Sequence, residues 1–165
     1  MKMYTRFLSV AAATLFITAL IASCGGGGGG GGYTAPAPPM LTPATLQADG
    51  YYINVHTDAC PDGEIRGQIL AAGLTGPQTI PLTLTNAAPA CATAGAGASG
   101  SGNIVVNVDT GAVTSVSITT ANLSGAATLA HIHEGAAGVA GPARVTLTVS
   151  GNMVTLNIGG GTIGY

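Results

Sequence analysis

The sequence predicts an all-β domain, an antiparallel sandwich or barrel of about eight strands, carried behind a signal peptide and a flexible Gly/Pro linker. Three observations lead there. From Tyr51 onward, apolar residues alternate with Thr, Ser and Asn in short runs. Those runs are separated by Gly, Asn, Asp and Pro, the residues that punctuate strands. Beyond the N-terminal third, no stretch has a convincing helical period, and a chain of strands alone closes as a sandwich or a barrel.

Taken in order, the strands fall at residues 51–57, 64–70, 80–85, 103–109, 113–119, 126–133, 143–149 and 153–158. Alternation is cleanest where Ile104, Val106 and Val108 share one face, and where Val145, Leu147 and Val149 do. Asp109-Thr110-Gly111 and Ser150-Gly151-Asn152 are tight turns, because Gly and Asn tolerate positive φ. Thr and Ser replace charge on the outward faces. Such strands aggregate through exposed edges, so the edges should be closed or guarded by segments such as Pro77–Pro81.

What precedes residue 45 is address and tether. Lys2 and Arg6 form a short basic region, and residues 7–22 are a run of 16 apolar or small residues. That run is shorter than the roughly 20 residues a membrane span needs and fits a secretory signal over residues 1–23. It ends in Leu20-Ile21-Ala22-Ser23-Cys24, which resembles a bacterial lipobox and implies a lipidated Cys24. Gly25 at the next position leans, by resemblance to Gram-negative lipoproteins, toward the outer membrane. Residues 25–32 are all glycine and lead into Ala35-Pro36-Ala37-Pro38-Pro39, so residues 24–44 read as a spacer between the bilayer and a domain at 45–165. The glycines are not a phosphate loop, because no strand precedes them and no Gly-Lys-Ser/Thr follows.

The chain holds 4 basic and 6 acidic residues in 165, and charged residues make up 6% of it. Removing Lys2 and Arg6 with the signal leaves Arg66 and Arg144 as the only basic side chains. That is too few to neutralise a phosphate backbone, which excludes nucleic acid as a partner. An enzyme is the weakest reading. No nucleophile elbow is present, and Glu64 with Glu134 as an acid/base pair would need a cleft rich in aromatics, where Trp is absent. Glu64 or Glu134 paired with Arg66 or Arg144 would instead make structural salt bridges.

With Cys24 committed to lipid, Cys60 and Cys91 remain as an even pair in an exported chain, and a disulfide is the default. It would close a loop of about 30 residues and contribute about 3 kcal/mol. Two free thiols or thiolate ligands are the alternatives, although the spacing matches no zinc motif. All three histidines fall in two short motifs. His131 and His133 stand at i and i+2 of one strand, so they project side by side. Two imidazoles so placed can chelate a copper or zinc ion, with His56, at the end of its own strand, as the third ligand. The alternative is that these are structural histidines bonded to backbone or to Glu.

The two motifs are similar to those of a known family. Tyr51-Tyr52-Ile53-Asn54-Val55-His56-Thr57 followed by Gly63-Glu64-Ile65-Arg66-Gly67-Gln68 resembles the closing hairpin of the CHRD domain. That domain is named for chordin and occurs in many exported bacterial proteins. Ala130-His131-Ile132-His133-Glu134-Gly135-Ala136, with Gly141-Pro142-Ala143 beyond, resembles its other signature. The order is inverted, since the hairpin closes the family domain but opens this one. Circular permutation accounts for this, as does a truncated two-copy ancestor. If the vacated slot is filled within one chain, His56 returns to His131 and His133; if another chain fills it, the protein is a swapped oligomer. The paired histidines on a strand are also similar to copper-zinc superoxide dismutase, but three histidines cannot build a dinuclear site. The resemblance implies a lipid-anchored, non-catalytic binding or structural module with an unknown envelope or extracellular ligand. The alternative is a copper- or zinc-binding lipoprotein.

Overall fold

A computed structural model describes residues 36–157; the expected signal peptide, Cys24 and the glycine run lie outside them. The eight strands are β1 (Tyr51–Thr57), β2 (Cys60–Ile69), β3 (Pro77–Asn86), β4 (Ser99–Asn107), β5 (Val113–Ala121), β6 (Ala127–Glu134), β7 (Ala143–Ser150) and β8 (Met153–Asn157). They close an antiparallel barrel in the order β1-β2-β3-β4-β5-β8-β7-β6. Between the two architectures expected, the barrel is the one formed.

The core follows from alternation. Tyr51, Ile53 and Val55 of β1, Ile65 and Ile69 of β2, and Ile80, Leu82 and Leu84 of β3 all point inward and are buried. Ile104 and Val106 of β4 do the same, with Val108 just beyond the strand, while Val145 and Leu147 come from β7. The interior is filled by β-branched and Leu side chains, so the scarcity of aromatics is no obstacle to packing.

Several strands run longer than the sequence suggests. β4 starts at Ser99, not residue 103, because Gly100 and Gly102 belong to the ladder. A Cβ at Gly100 would sit 3.1 Å from Ile65 Cδ1, so the missing side chain makes room for a core residue reaching across the barrel. β2 and β3 meet only through Ile65–Asn86 and Arg66–Thr85. The remainder of β3 lacks a β2 partner, and Pro77 and Pro81, which have no N–H to offer, lie in that stretch.

Order also begins earlier than residue 45. Leu41 and Leu46 join the core at the Tyr51 end of the barrel, and the Tyr51 hydroxyl accepts from Thr42 N at 3.0 Å. Leu46 sits on α1 (Pro43–Gln47), a single turn that periodicity cannot reveal at five residues. Pro43 opens it, where the missing N–H costs nothing. Among the described residues no helix is long and apolar enough to cross a membrane.

β1 positions the site. It lies between β2 and β6, with Asn54 opposite Arg66 on one side and His131 on the other. All seven of its residues are buried. Tyr51, Ile53 and Val55 face the core, whereas Tyr52, Asn54 and His56 face outward and are covered by neighbouring segments.

Candidate metal centre

The outer face of β2-β1-β6 carries rows of polar side chains, Gln68-Tyr52-His133 and Arg66-Asn54-His131 by register. His56 stands one step further along β1. The first residues of β2 and the loop at 135–142 cover this face, with the 87–98 loop alongside, and backbone carbonyls of the first two receive the polar hydrogens beneath them. Asn54 Nδ2 donates to Asp62 O at 3.0 Å. Arg66 donates from Nη1 to Val139 O at 2.8 Å and from Nη2 to Ala136 O at 2.7 Å. Gln68 Nε2 donates to Gly135 O at 2.9 Å.

The histidines are held in the same way. His56 Nδ1 donates to Pro61 O at 2.8 Å, and His133 Nδ1 donates to Gly141 O at 2.8 Å. A carbonyl can only accept, so both rings carry their proton on Nδ1 and keep a lone pair on Nε2. His131 Nδ1 lies 3.3 Å from His56 Nε2. One nitrogen from each of the three rings lies within 4.8 Å of the other two. His133 Nε2 is buried and has no hydrogen-bond partner among the described residues. The Tyr52 ring stacks on His133 with centroids 5.1 Å apart, and Arg66 Cζ lies 3.3 Å from the Tyr52 centroid.

These surroundings disfavour protonation. Burial pushes His131 below its ordinary pKa, and His56 and His133 nearby add to the effect. His133 is lowered chiefly by burial, with the hydrogen bond to Gly141 opposing and His56 and Arg66 reinforcing. Neutral imidazoles with convergent lone pairs are what a divalent transition metal requires. The fixed Nδ1–H···O=C bonds on two of the rings are the outer support that sets tautomer and orientation in metal-binding histidines. For zinc–nitrogen bonds of about 2.0–2.1 Å in tetrahedral geometry, ligand nitrogens lie roughly 3.3–3.4 Å apart. The His56–His131 separation of 3.3 Å, a hydrogen bond between the two rings, falls at that edge length, and the cluster spans up to 4.8 Å.

The other residues singled out in the sequence have structural work. Glu64 is fully buried and takes hydrogen bonds from Thr57 Oγ1, Ser124 Oγ, Ser124 N and Gly95 N at 2.6–2.8 Å. Burial raises its pKa, but those four donors outweigh it and hold the carboxyl below its ordinary value. Glu64 therefore pairs with neither arginine. The ion pair that does form joins Glu134 to Arg144 at 2.8 Å on the surface, where such pairs contribute about 0–1 kcal/mol. Gly63 adopts φ of 118° beneath the Asn54 amide, which a Cβ there would strike. A Cβ on Gly67 would meet Thr83 O at 2.6 Å, so glycine lets β2 approach β3. Cys60 and Cys91 are joined as a disulfide, which tethers the start of β2 to the 87–98 loop and removes them as ligands.

Sequence reasoning missed Tyr52, Pro61 and Gly141. Tyr52 was visible in principle, being at i−2 and i−4 from Asn54 and His56. Pro61 and Gly141 act through carbonyls, which leave no trace in a sequence.

Comparison with family models matches the CHRD domain over residues 14–69 and 70–160, nearly the whole chain. The chain belongs to the CHRD family. The match divides between residues 69 and 70, where β2 of this CHRD domain ends. No curated protein and no solved structure matches the chain. CHRD membership points to an extracellular, non-enzymatic binding module.

Proposed function

We infer that this CHRD protein is a non-catalytic module of the cell envelope, anchored by lipid on Cys24, that binds one copper or zinc ion through His56, His131 and His133. The observation that carries this reading is the convergence of three imidazole nitrogens within 4.8 Å, two of the rings being braced by carbonyls and one nitrogen being buried without a partner among the described residues. A donor set of three imidazoles with no thiolate suits zinc or copper over calcium or magnesium. The Cys60–Cys91 disulfide supports an oxidising compartment. The lipobox-like sequence before Cys24 supports attachment to a bilayer, and Gly25 supports the outer membrane.

The test is metal content and titration of the full chain, exported by a bacterial host and purified in detergent. One equivalent of copper or zinc should bind in the wild type. His131→Ala with His133→Ala should abolish binding while leaving the far-ultraviolet circular dichroism unchanged. No binding at micromolar metal would make the three histidines a structural latch for the covering loops.

A further inference from the structure

We propose that the three-histidine centre has a fourth coordination position, open to an adjoining cavity, which takes a small exogenous ligand carrying both a lone pair and its own N–H or O–H. The proposal rests on the metal-binding reading and specifies what that site binds beyond the ion.

A cavity of about 340 Å³ lies over the outer face of β1, at the lower end of the roughly 300–1,000 Å³ typical of small-molecule pockets. His56 and His133 line it, and His131 does not. An ion held by the three nitrogens would thus be reached from the side of His56 and His133. Among the described residues the ligand group contains three side chains, whereas zinc favours four donors and sites with three protein ligands keep the fourth for a small molecule.

Asn54 supplies the second observation. It lines the same cavity and is 5% exposed. Its Nδ2 is committed to Asp62 O, while its Oδ1 is buried with no partner among the described residues. A buried carbonyl oxygen left unpaired costs about 1–3 kcal/mol, so a hydrogen-bond donor belongs there. The amide cannot relieve this by moving toward β2, because it rests against Gly63. Asn54 Oδ1 calls for a hydrogen, and the ion calls for a lone pair. Water meets both demands, as do a small amine and imidazole. Arg66 also lines the cavity, so a cationic ligand is disfavoured.

The experiment uses the full chain loaded with cobalt(II), whose visible bands report coordination number and donor change, titrated with imidazole as the probe. Imidazole should shift the bands saturably at one equivalent per cobalt. Asn54→Leu should weaken imidazole about tenfold, the equivalent of one hydrogen bond, and change cobalt affinity far less. Azide has no proton to donate and should bind wild type and Asn54→Leu alike. Cobalt bands indifferent to imidazole in the wild type overturn the proposal alone, and would mean that a protein group such as the Asp62 carboxylate completes the sphere. Absence of cobalt binding overturns the metal-binding reading as well. The wild-type titration decides the matter even if Asn54→Leu fails to fold.

Discussion

A buried carboxylate with four donors and no cation is the residue on which the Thr57 end of the barrel depends. Glu64 gathers β1, the 87–98 loop and the turn at Ser124 onto two oxygens. Glu64→Gln keeps the volume but aims an amide N–H₂ at donors, and should cost about 2–4 kcal/mol in urea denaturation. Acid should act on the same contact. With its folded pKa below 4.5, Glu64 contributes stability that is fully present above that pH and is lost as pH falls toward the folded value. His131 and His133 work in the same direction at higher pH. Their pKa values are lowered from 6.5 in the fold, so the unfolded chain takes up protons first as pH drops below 6.5, and stability declines. Stability should therefore be flat above neutrality and fall in two steps, measured as urea midpoints across pH. His131→Ala with His133→Ala should remove the upper step, and Glu64→Gln the lower.

At the scale of elements, strands aim the side chains, and two backbone carbonyls, Pro61 at the start of β2 and Gly141 in the 135–142 loop, fix the tautomers of His56 and His133. The disulfide bears on this division. It ties Cys60 to Cys91 across 31 residues, and Pro61, whose carbonyl holds His56, is the next residue. Cys60→Ala with Cys91→Ala should cost about 3.7 kcal/mol by the chain-entropy estimate, read from urea midpoints. It should also weaken metal binding, because the carbonyl that orients His56 is then less fixed. How far these elements were legible depended on side chains. Ile104, Val106 and Val108 announced β4 by alternation, and His131 with His133 announced a shared face by spacing. The start of β4 was hidden because Gly100 and Gly102 look like a loop, although they are glycine to admit Ile65 and the β5 backbone. Glu64 beside Arg66 looked like an ion pair, but side chains two apart are drawn to whatever donors the fold brings, and four hydrogen bonds lay nearer. The pairing of Cys60 with Cys91 was legible from the even number of cysteines left once Cys24 is set aside and from the export the sequence leads one to expect.

For the molecule as a whole, closure within one chain is the governing feature. β1 completes the barrel against both β2 and β6, so no second copy is required to bring His56 to its partners. The ends of the described chain also lie together: Val113 N donates to Pro39 O at 3.0 Å, and Asn157 pairs with Ser115. A rearranged chain running from residue 71 to 157, then through a short Gly/Ser linker into 40–70, should also fold, with its two motifs in the order that the sequence resemblance implies. Its circular dichroism, disulfide formation and metal stoichiometry should equal those of the parent, and loss of all three would refute the interchangeability of the two orders. The barrel's seam has one more consequence, in time. His56 and His131 are separated by 75 residues, so the chain must be almost fully synthesised before the β1–β6 ladder can form. Such long-range pairing is slow, because loop closure comes before its reward. An incomplete chain therefore presents His56 alone, before His131 and His133 have been made. The three-nitrogen cluster exists only once the barrel has shut, which makes it a chemical marker of finished folding.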